Sequence, residues 1–188
     1  MRNAKMIVIL GANGTGKTTL LKHILAMSHQ RAIIVTPDCV EWTDKEIDGS
    51  ERYPINPLNT RQDFVFSGLQ RHIFGDRTLQ KISAFKKGIV VFDDVRAYMS
   101  DKTDEEIHQL MIRRRQREVD FIAVAHSFSD MPRRFFPFCS DLFLFQTKDN
   151  VEMRRGVLKN IEEMREIQAR VNKIALSHPH YYEHIKYE

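Results

Sequence analysis

The sequence predicts an α/β fold, a central, mostly parallel sheet with helices on both faces. Three observations carry that prediction. Met6 to Leu10 (MIVIL) is a continuous apolar run, as expected of a strand buried on both faces. A glycine-rich loop and then an amphipathic helical run follow it at once. A second apolar run, Ile89 to Phe92, ends in Asp93 and Asp94, and further apolar runs alternate with helical stretches. Strands that alternate with helices build parallel sheets covered on both sides.

The elements follow in order. Thr18 to Met27 is a helix with Leu20, Leu21, Ile24 and Leu25 on one face. Arg31 to Thr36 (RAIIVT) is a second strand, ended by Pro37. Residues 38–62 hold Trp42, Gly49, Pro54 and Pro57 without sustained periodicity and read as an irregular excursion. Asp63 to Ser67 is a strand or a helix start, and Leu69 to Lys86 reads as one or two helices interrupted near Gly75. After the acidic strand, Thr103-Asp-Glu-Glu106 is a capping box opening a helix to about Arg117, with Ile107, Leu110 and Met111 on its apolar side. Val119 to Ala125 is a buried strand, Ser127 to Ser140 a loop with two prolines, and Asp141 to Thr147 the last strand. Val151 to Leu176 is expected to form one long helix, followed by an aromatic, histidine-rich tail.

The 188 residues suit one domain, with a core over about 5–147 and a C-terminal helix and tail over 151–188. Hydrophobic content of 42% and charged content of 29% are ordinary for a soluble globular protein. No apolar run reaches bilayer length, and no signal-type stretch precedes the first strand, so a cytoplasmic location is expected. Cys39 and Cys139 form neither a disulfide framework nor a zinc spacing and read as reduced thiols. A net charge of +4 is compatible with a nucleic-acid partner without establishing one. His178, His180 and His184 are read as part of a mixed polar and aromatic tail rather than as a metal site.

The chemistry lies in the glycine loop. Gly11-Ala12-Asn13-Gly14-Thr15-Gly16-Lys17-Thr18 meets the phosphate-loop pattern G-x-x-x-x-G-K-[ST] at every fixed position, with Thr19 next in line. The glycines permit backbone conformations that a side chain forbids. Successive N–H groups and the positive end of the following helix can then wrap an anion. Lys17 would neutralise the β- and γ-phosphates of a nucleoside triphosphate, and the Thr18 hydroxyl would hold Mg²⁺. Asp93 fits the acid that completes the Mg²⁺ site, and Asp94 is placed to orient or deprotonate the attacking water. Both elements fall at the carboxyl ends of strands, where such sheets bind ligands. A GTPase is disfavoured, because Thr147-Lys148-Asp149 places its acid one position early for [NT]KxD and Asp93-Asp-Val-Arg96 is not D-x-x-G.

Arg113-Arg-Arg-Gln-Arg117 puts four arginines in five residues, more than a helix C-terminus needs. Eleven residues after Arg115 comes His126, at the tip of the apolar strand FIAVA. This arginine, strand and polar tip resemble the FtsK/HerA group of P-loop ATPases, over about residues 5–147. The group includes DNA translocases, conjugation ATPases, Zot-like phage proteins and viral genome-packaging ATPases. The resemblance implies a RecA/ASCE-like P-loop NTPase that works as a homo-oligomeric ring, a pentamer or hexamer, driving double-stranded DNA without reading sequence. It implies ATP and Mg²⁺ as cofactors, Arg115 as a finger reaching the neighbouring subunit's nucleotide, with Arg114 as the alternative, and His126 as a sensor. Here His126 stands where the group usually has Gln, and Glu118 stands at its glycine position. The chain's size is closest to a small packaging ATPase, which implies a host-cytoplasm or virion-vertex location and a capsid or membrane-embedded portal as docking partner. Lys45, Arg52, Arg61, Arg71, Arg77, Lys86 and Lys87 are unranked candidates for holding DNA phosphates. The alternatives are a small nucleotide or nucleoside kinase, a Zot-like or conjugation-type ATPase, and a nucleotide-switched binding protein.

Overall fold

The computed structural model describes residues 4–28, 30–37, 69–73, 78–97, 99 and 104–187. The strands are β1 (Met6–Leu10), β2 (Ala32–Thr36), β3 (Leu69–Ile73), β4 (Gly88–Phe92), β5 (Val119–Ala125), β6 (Asp141–Phe145) and β7 (Tyr182–Lys186). The α-helices are α1 (Lys17–Ser28), α2 (Thr78–Ile82), α3 (Asp104–Arg117) and α4 (Ile161–Ile174). Among the described residues the strands form one seven-stranded sheet in the order β3-β2-β4-β5-β1-β6-β7. Every neighbouring pair is parallel except β6 and β7. β5 lies between the loop strand β1 and the acidic strand β4, and the mostly parallel sheet with flanking helices is the one the sequence predicts.

The continuous apolar strands are buried on both faces, and alternate side chains divide the core into two layers. Ile7, Ile9, Ile34, Val91, Ile122 and Val124 pack under α1 through Leu21 and Leu25. Met6, Val8, Leu10, Val35, Val90, Phe92 and Phe121 face the other way. That second layer takes Leu79 and Ile82 of α2, Ile107, Leu110 and Met111 of α3, and Ile161, Met164, Ile167 and Val171 of α4. Burying each such side chain is worth about 1.5–3 kcal/mol, so the helix periodicity is what attaches each helix to the sheet. Burial pushes the Cys139 thiol up to about 12, which leaves it unreactive at neutral pH.

Four expectations are corrected. Leu69–Ile73 is a strand paired in register with Ala32–Thr36, not the start of a helix. Its backbone partner decides it, because LQRHI carries no apolar run of its own. The segment after β5 is not all loop: Arg133–Phe138 forms a 3₁₀-helix that buries Phe135 and Phe136. The long helix over 151–176 is broken. A short 3₁₀-helix spans Val151–Arg154, capped by Asn150 accepting from the Glu152 N–H at 2.9 Å, and α4 begins only at Ile161. Asn160 has φ 48, a left-handed conformation that cannot lie inside an α-helix. The sheet does not end at β6, since the tail adds β7. Tyr182 and His184 pack on Phe145 and Phe143, with the His184 ring 4.2 Å from that of Phe143. Thr103, residues 38–67 and Gly75 lie outside the described residues.

Candidate nucleotide site

The glycine loop bridges the carboxyl end of β1 and the start of α1. Its path is fixed by backbone bonds to both neighbouring strands: Gly11 N–H donates to Ala125 O at 3.2 Å and Ala12 N–H to Gln146 O at 2.8 Å. Gly14 and Gly16 have φ of 75 and 100, the left-handed region where only glycine is unstrained. Gly11 is required by space, because a Cβ there would lie 2.5 Å from Phe145 Cβ. The Thr15 hydroxyl closes the turn onto Ala12 O at 2.8 Å.

A pocket of about 740 Å³ opens over this loop. It gathers Asn13, Gly14, Gly16, Lys17, Thr18 and Thr19 with Asp93, Asp94 and His126. Lys17 is 8% exposed and donates to Ala12 O at 2.9 Å. Its Nζ also lies 3.3 Å from His126 Nδ1, and His126 Nε2 lies 3.4 Å from Asp94 Oδ1. A lysine ammonium can only donate, so the Lys17 contact is a hydrogen bond in the tautomer whose Nδ1 accepts and whose Nε2–H faces Asp94. The result is one polar line, Lys17–His126–Asp94, across the tips of α1, β5 and β4. Asp94 has φ 49, a left-handed aspartate of the kind that collects at functional sites. Asp93 is 6% exposed, its N–H bound to Val35 O at 2.8 Å, which locks the strand end beneath the pocket.

The residues fit a magnesium–nucleotide pair. Among the described residues no cluster of His, Cys, Asp and Glu could cage a metal by itself. Thr18 and Asp93 do line the same pocket. Mg²⁺ suits such a sparse oxygen site, since it keeps waters and takes the rest of its ligands from substrate phosphates.

The structure brings together every sequence-proposed residue of the loop that lines the pocket, both aspartates and His126. It does not bring Arg115 to them. Arg115 is exposed in the last turn of α3, at the amino edge of the sheet, beside a second cavity of about 730 Å³ that also holds Lys5, Arg114, Lys159 and Lys186. Arg114 is 9% exposed, donates to Met111 O at 2.8 Å and lies over the Phe138 ring. Burial and then the charge of Arg115 pull its guanidinium pKa down. Glu118 adopts φ 55, so this glutamate takes the left-handed turn expected of a glycine. Sequence reasoning missed Thr36, Pro37 and His180 in the pocket. Thr36 and Pro37 could have been found from the rule that ligands sit at carboxyl strand ends. His180 could be placed only by knowing that the tail returns as β7.

A family model described as ABC transporter matches residues 1–178. No curated protein sequence matches the chain. Among solved structures, the DNA-packaging ATPase of Sulfolobus turreted icosahedral virus superposes with a TM-score of 0.67 at 13% identity, covering 99% of this chain and 98% of that one. The genome-packaging NTPase of Sulfolobus turreted icosahedral virus 2, bound to sulfate, gives 0.65 at 13% identity over 91% and 86%. The N-terminal domain of zonular occludens toxin from Neisseria meningitidis gives 0.50 at 12% identity over 86% and 98%. At these identities the structural matches speak for the fold.

Proposed function

The chain belongs to the ABC transporter family of P-loop ATPases, and from that premise we propose that it is a ring-forming motor that moves double-stranded DNA, packaging a viral genome. The chain binds ATP and is an ATPase. The observation that carries the motor reading is the separation of Lys17–His126–Asp94 from Arg114 and Arg115, at opposite edges of one sheet. A catalytic arginine so placed cannot serve its own subunit's nucleotide, but it can serve a neighbour's in a ring. The likeness in fold to two packaging ATPases and to a zonular occludens toxin domain supports the FtsK/HerA assignment.

In this mechanism the loop N–H groups and Lys17 hold the β- and γ-phosphates. Mg²⁺, held by Thr18 and Asp93, would offset the charge that develops on the transferred phosphoryl group. Asp94 accepts the proton of the attacking water, with His126 Nε2–H orienting its carboxylate. Lys17 leaves His126 Nδ1 when it turns to the phosphates, so nucleotide binding is felt at the Asp94 side of the pocket. A neighbour's Arg115 adds positive charge to the transition state, an effect worth about 10³–10⁵ in rate where arginine fingers have been measured. Basic side chains lining the ring hold DNA phosphates without sequence preference. Of the sequence candidates, Lys86 and Lys87 are exposed, while Lys45, Arg52, Arg61 and Arg77 lie outside the described residues. A capsid or portal protein docks the ring.

No helix among the described residues is long and apolar enough to cross a membrane. The test is displacement of a third strand from a triplex-bearing duplex. ATP-dependent displacement supports translocation; none, under conditions of full ATP hydrolysis, overturns it. Mixing Arg115→Ala with Lys17→Ala subunits restores partial hydrolysis if the arginine acts in trans, and no recovery at any ratio contradicts that geometry.

A further inference from the structure

The nucleotide pocket has two chemically different ends. At one end Lys17, His126 and Asp94 mark where the terminal phosphate and the attacking water belong, over β4 and β5. The sheet order puts β6 and β7 on the other side of β1. A triphosphate fixed by the loop, with its terminal phosphate at Asp94, must therefore direct its nucleoside toward β6 and β7.

The walls at that end are rings. β7 runs antiparallel to β6 with Phe145 opposite Tyr182, so its beginning lies at the carboxyl edge, beside the glycine loop. His180, two residues before β7, lines the pocket and is exposed. A Cβ built on Gly16 would lie 3.4 Å from His180 Nδ1 and 3.7 Å from Phe145 Cε1. Phe145 is itself buried under Tyr182, with ring centroids 4.9 Å apart. The turn carrying His180 is held at both ends. His178 N–H donates to Ile174 O at 3.0 Å, Tyr181 N–H to His178 O at 2.9 Å, and Arg170 donates to Glu183 from Nε at 2.6 Å. The imidazole is thus presented by a held turn against the loop, and among the described residues no hydrogen bond or ion pair of its ring accounts for that position.

We propose that His180 is the nucleoside wall of the site, stacking on the base of the bound nucleoside triphosphate. The C-terminal strand is then part of the active site rather than a trailing segment. The proposal rests on the ATP reading of the pocket, and its test separates the two. ATP, ADP and inorganic tripolyphosphate are titrated calorimetrically, with Mg²⁺, into the wild type, His180→Ala and His180→Phe.

The wild type binds all three. His180→Ala weakens ATP and ADP by about tenfold, the usual strength of a base–ring stack, and leaves tripolyphosphate unchanged. His180→Phe restores ATP affinity to within about twofold of wild type, because a second aromatic ring can carry the stack. Equal weakening of ATP and tripolyphosphate would show a phosphate contact and overturn the proposal, as would ATP affinity indifferent to His180→Ala or His180→Phe behaving like His180→Ala. Failure of the wild type to bind ATP or tripolyphosphate would overturn the ATP reading itself. Unchanged melting of nucleotide-free His180→Ala confirms that the fold is intact, and a lowered melting point would make His180 a structural residue and also overturn the proposal.

Discussion

Replacing Gly11 by alanine tests how the glycine loop is seated. The added Cβ would sit 2.5 Å from Phe145 Cβ and 2.8 Å from Thr15 Oγ1. Carbon–carbon contacts are comfortable at about 3.5–4.0 Å, so a movement of about 1 Å is needed. Phe145 cannot supply it cheaply. It is 1% exposed, at the end of β6, with Tyr182 packed on its ring. Overpacking of this kind costs about 1–3 kcal/mol. For a chain of this length that lowers the melting temperature by about 2–12 °C. Displacing Thr15 also breaks its bond to Ala12 O and loosens the turn that receives phosphate. Gly14→Ala is the control: its φ is +75 but nothing lies within 4 Å, so only left-handed strain of about 1 kcal/mol applies. Calorimetric or circular-dichroism melting of nucleotide-free protein gives the comparison, with Gly11→Ala expected to fall furthest. Melting of Gly11→Ala within a degree of wild type would refute the reasoning.

Three further outcomes follow. Asp94→Asn keeps ATP bound but slows hydrolysis by about 10²–10⁴, the usual contribution of a general base, and normal single-turnover rates would remove Asp94 from that role. Glu118→Gly relieves a left-handed turn, at φ 55, and raises the urea midpoint by the equivalent of about 1 kcal/mol; a lowered midpoint would show that the glutamate side chain holds the turn. Asp141 is the pH-sensitive anchor of β7. Burial raises its pKa, but hydrogen bonds with His184 and Ser140 and the charge of Lys5 outweigh it, and the carboxyl is held below its ordinary value. Its contribution is full above the unfolded-state value of about 3.9 and is lost as pH falls through the lower folded value. Asp141→Asn therefore loses less stability than wild type between pH 5 and the acid transition, and identical urea midpoints against pH would contradict this.

The parts of the fold legible in the sequence are those whose own residues decide them. MIVIL, IVVF and VDFIAVA are buried on both faces and could be little else. The helix from Asp104 to Arg117 follows from Ile107, Leu110 and Met111. The glycine loop, Asp93, Asp94 and His126 converge because parallel strands present their carboxyl ends to one pocket. What escaped depends on distant partners. Leu69–Ile73 is a strand because β2 offers it an edge. The helix expected from Val151 is broken where the Arg154 side chain turns inward to the carbonyls of Phe128, Ser129 and Met131. The tail alternates Tyr182, His184 and Lys186 with Glu183 and Ile185, a period of two that its histidine-rich composition conceals. His180 enters the site only as a consequence of that strand's direction.

The most direct measurement for the account as a whole is ATP hydrolysis with and without long double-stranded DNA, at low salt, across a range of protein concentrations. A DNA-driven ring with a trans arginine predicts strong stimulation that rises steeply with concentration and is lost in Arg115→Ala. Hydrolysis that ignores DNA and scales linearly with protein, or phosphate appearing on a nucleoside or nucleotide acceptor, would contradict it.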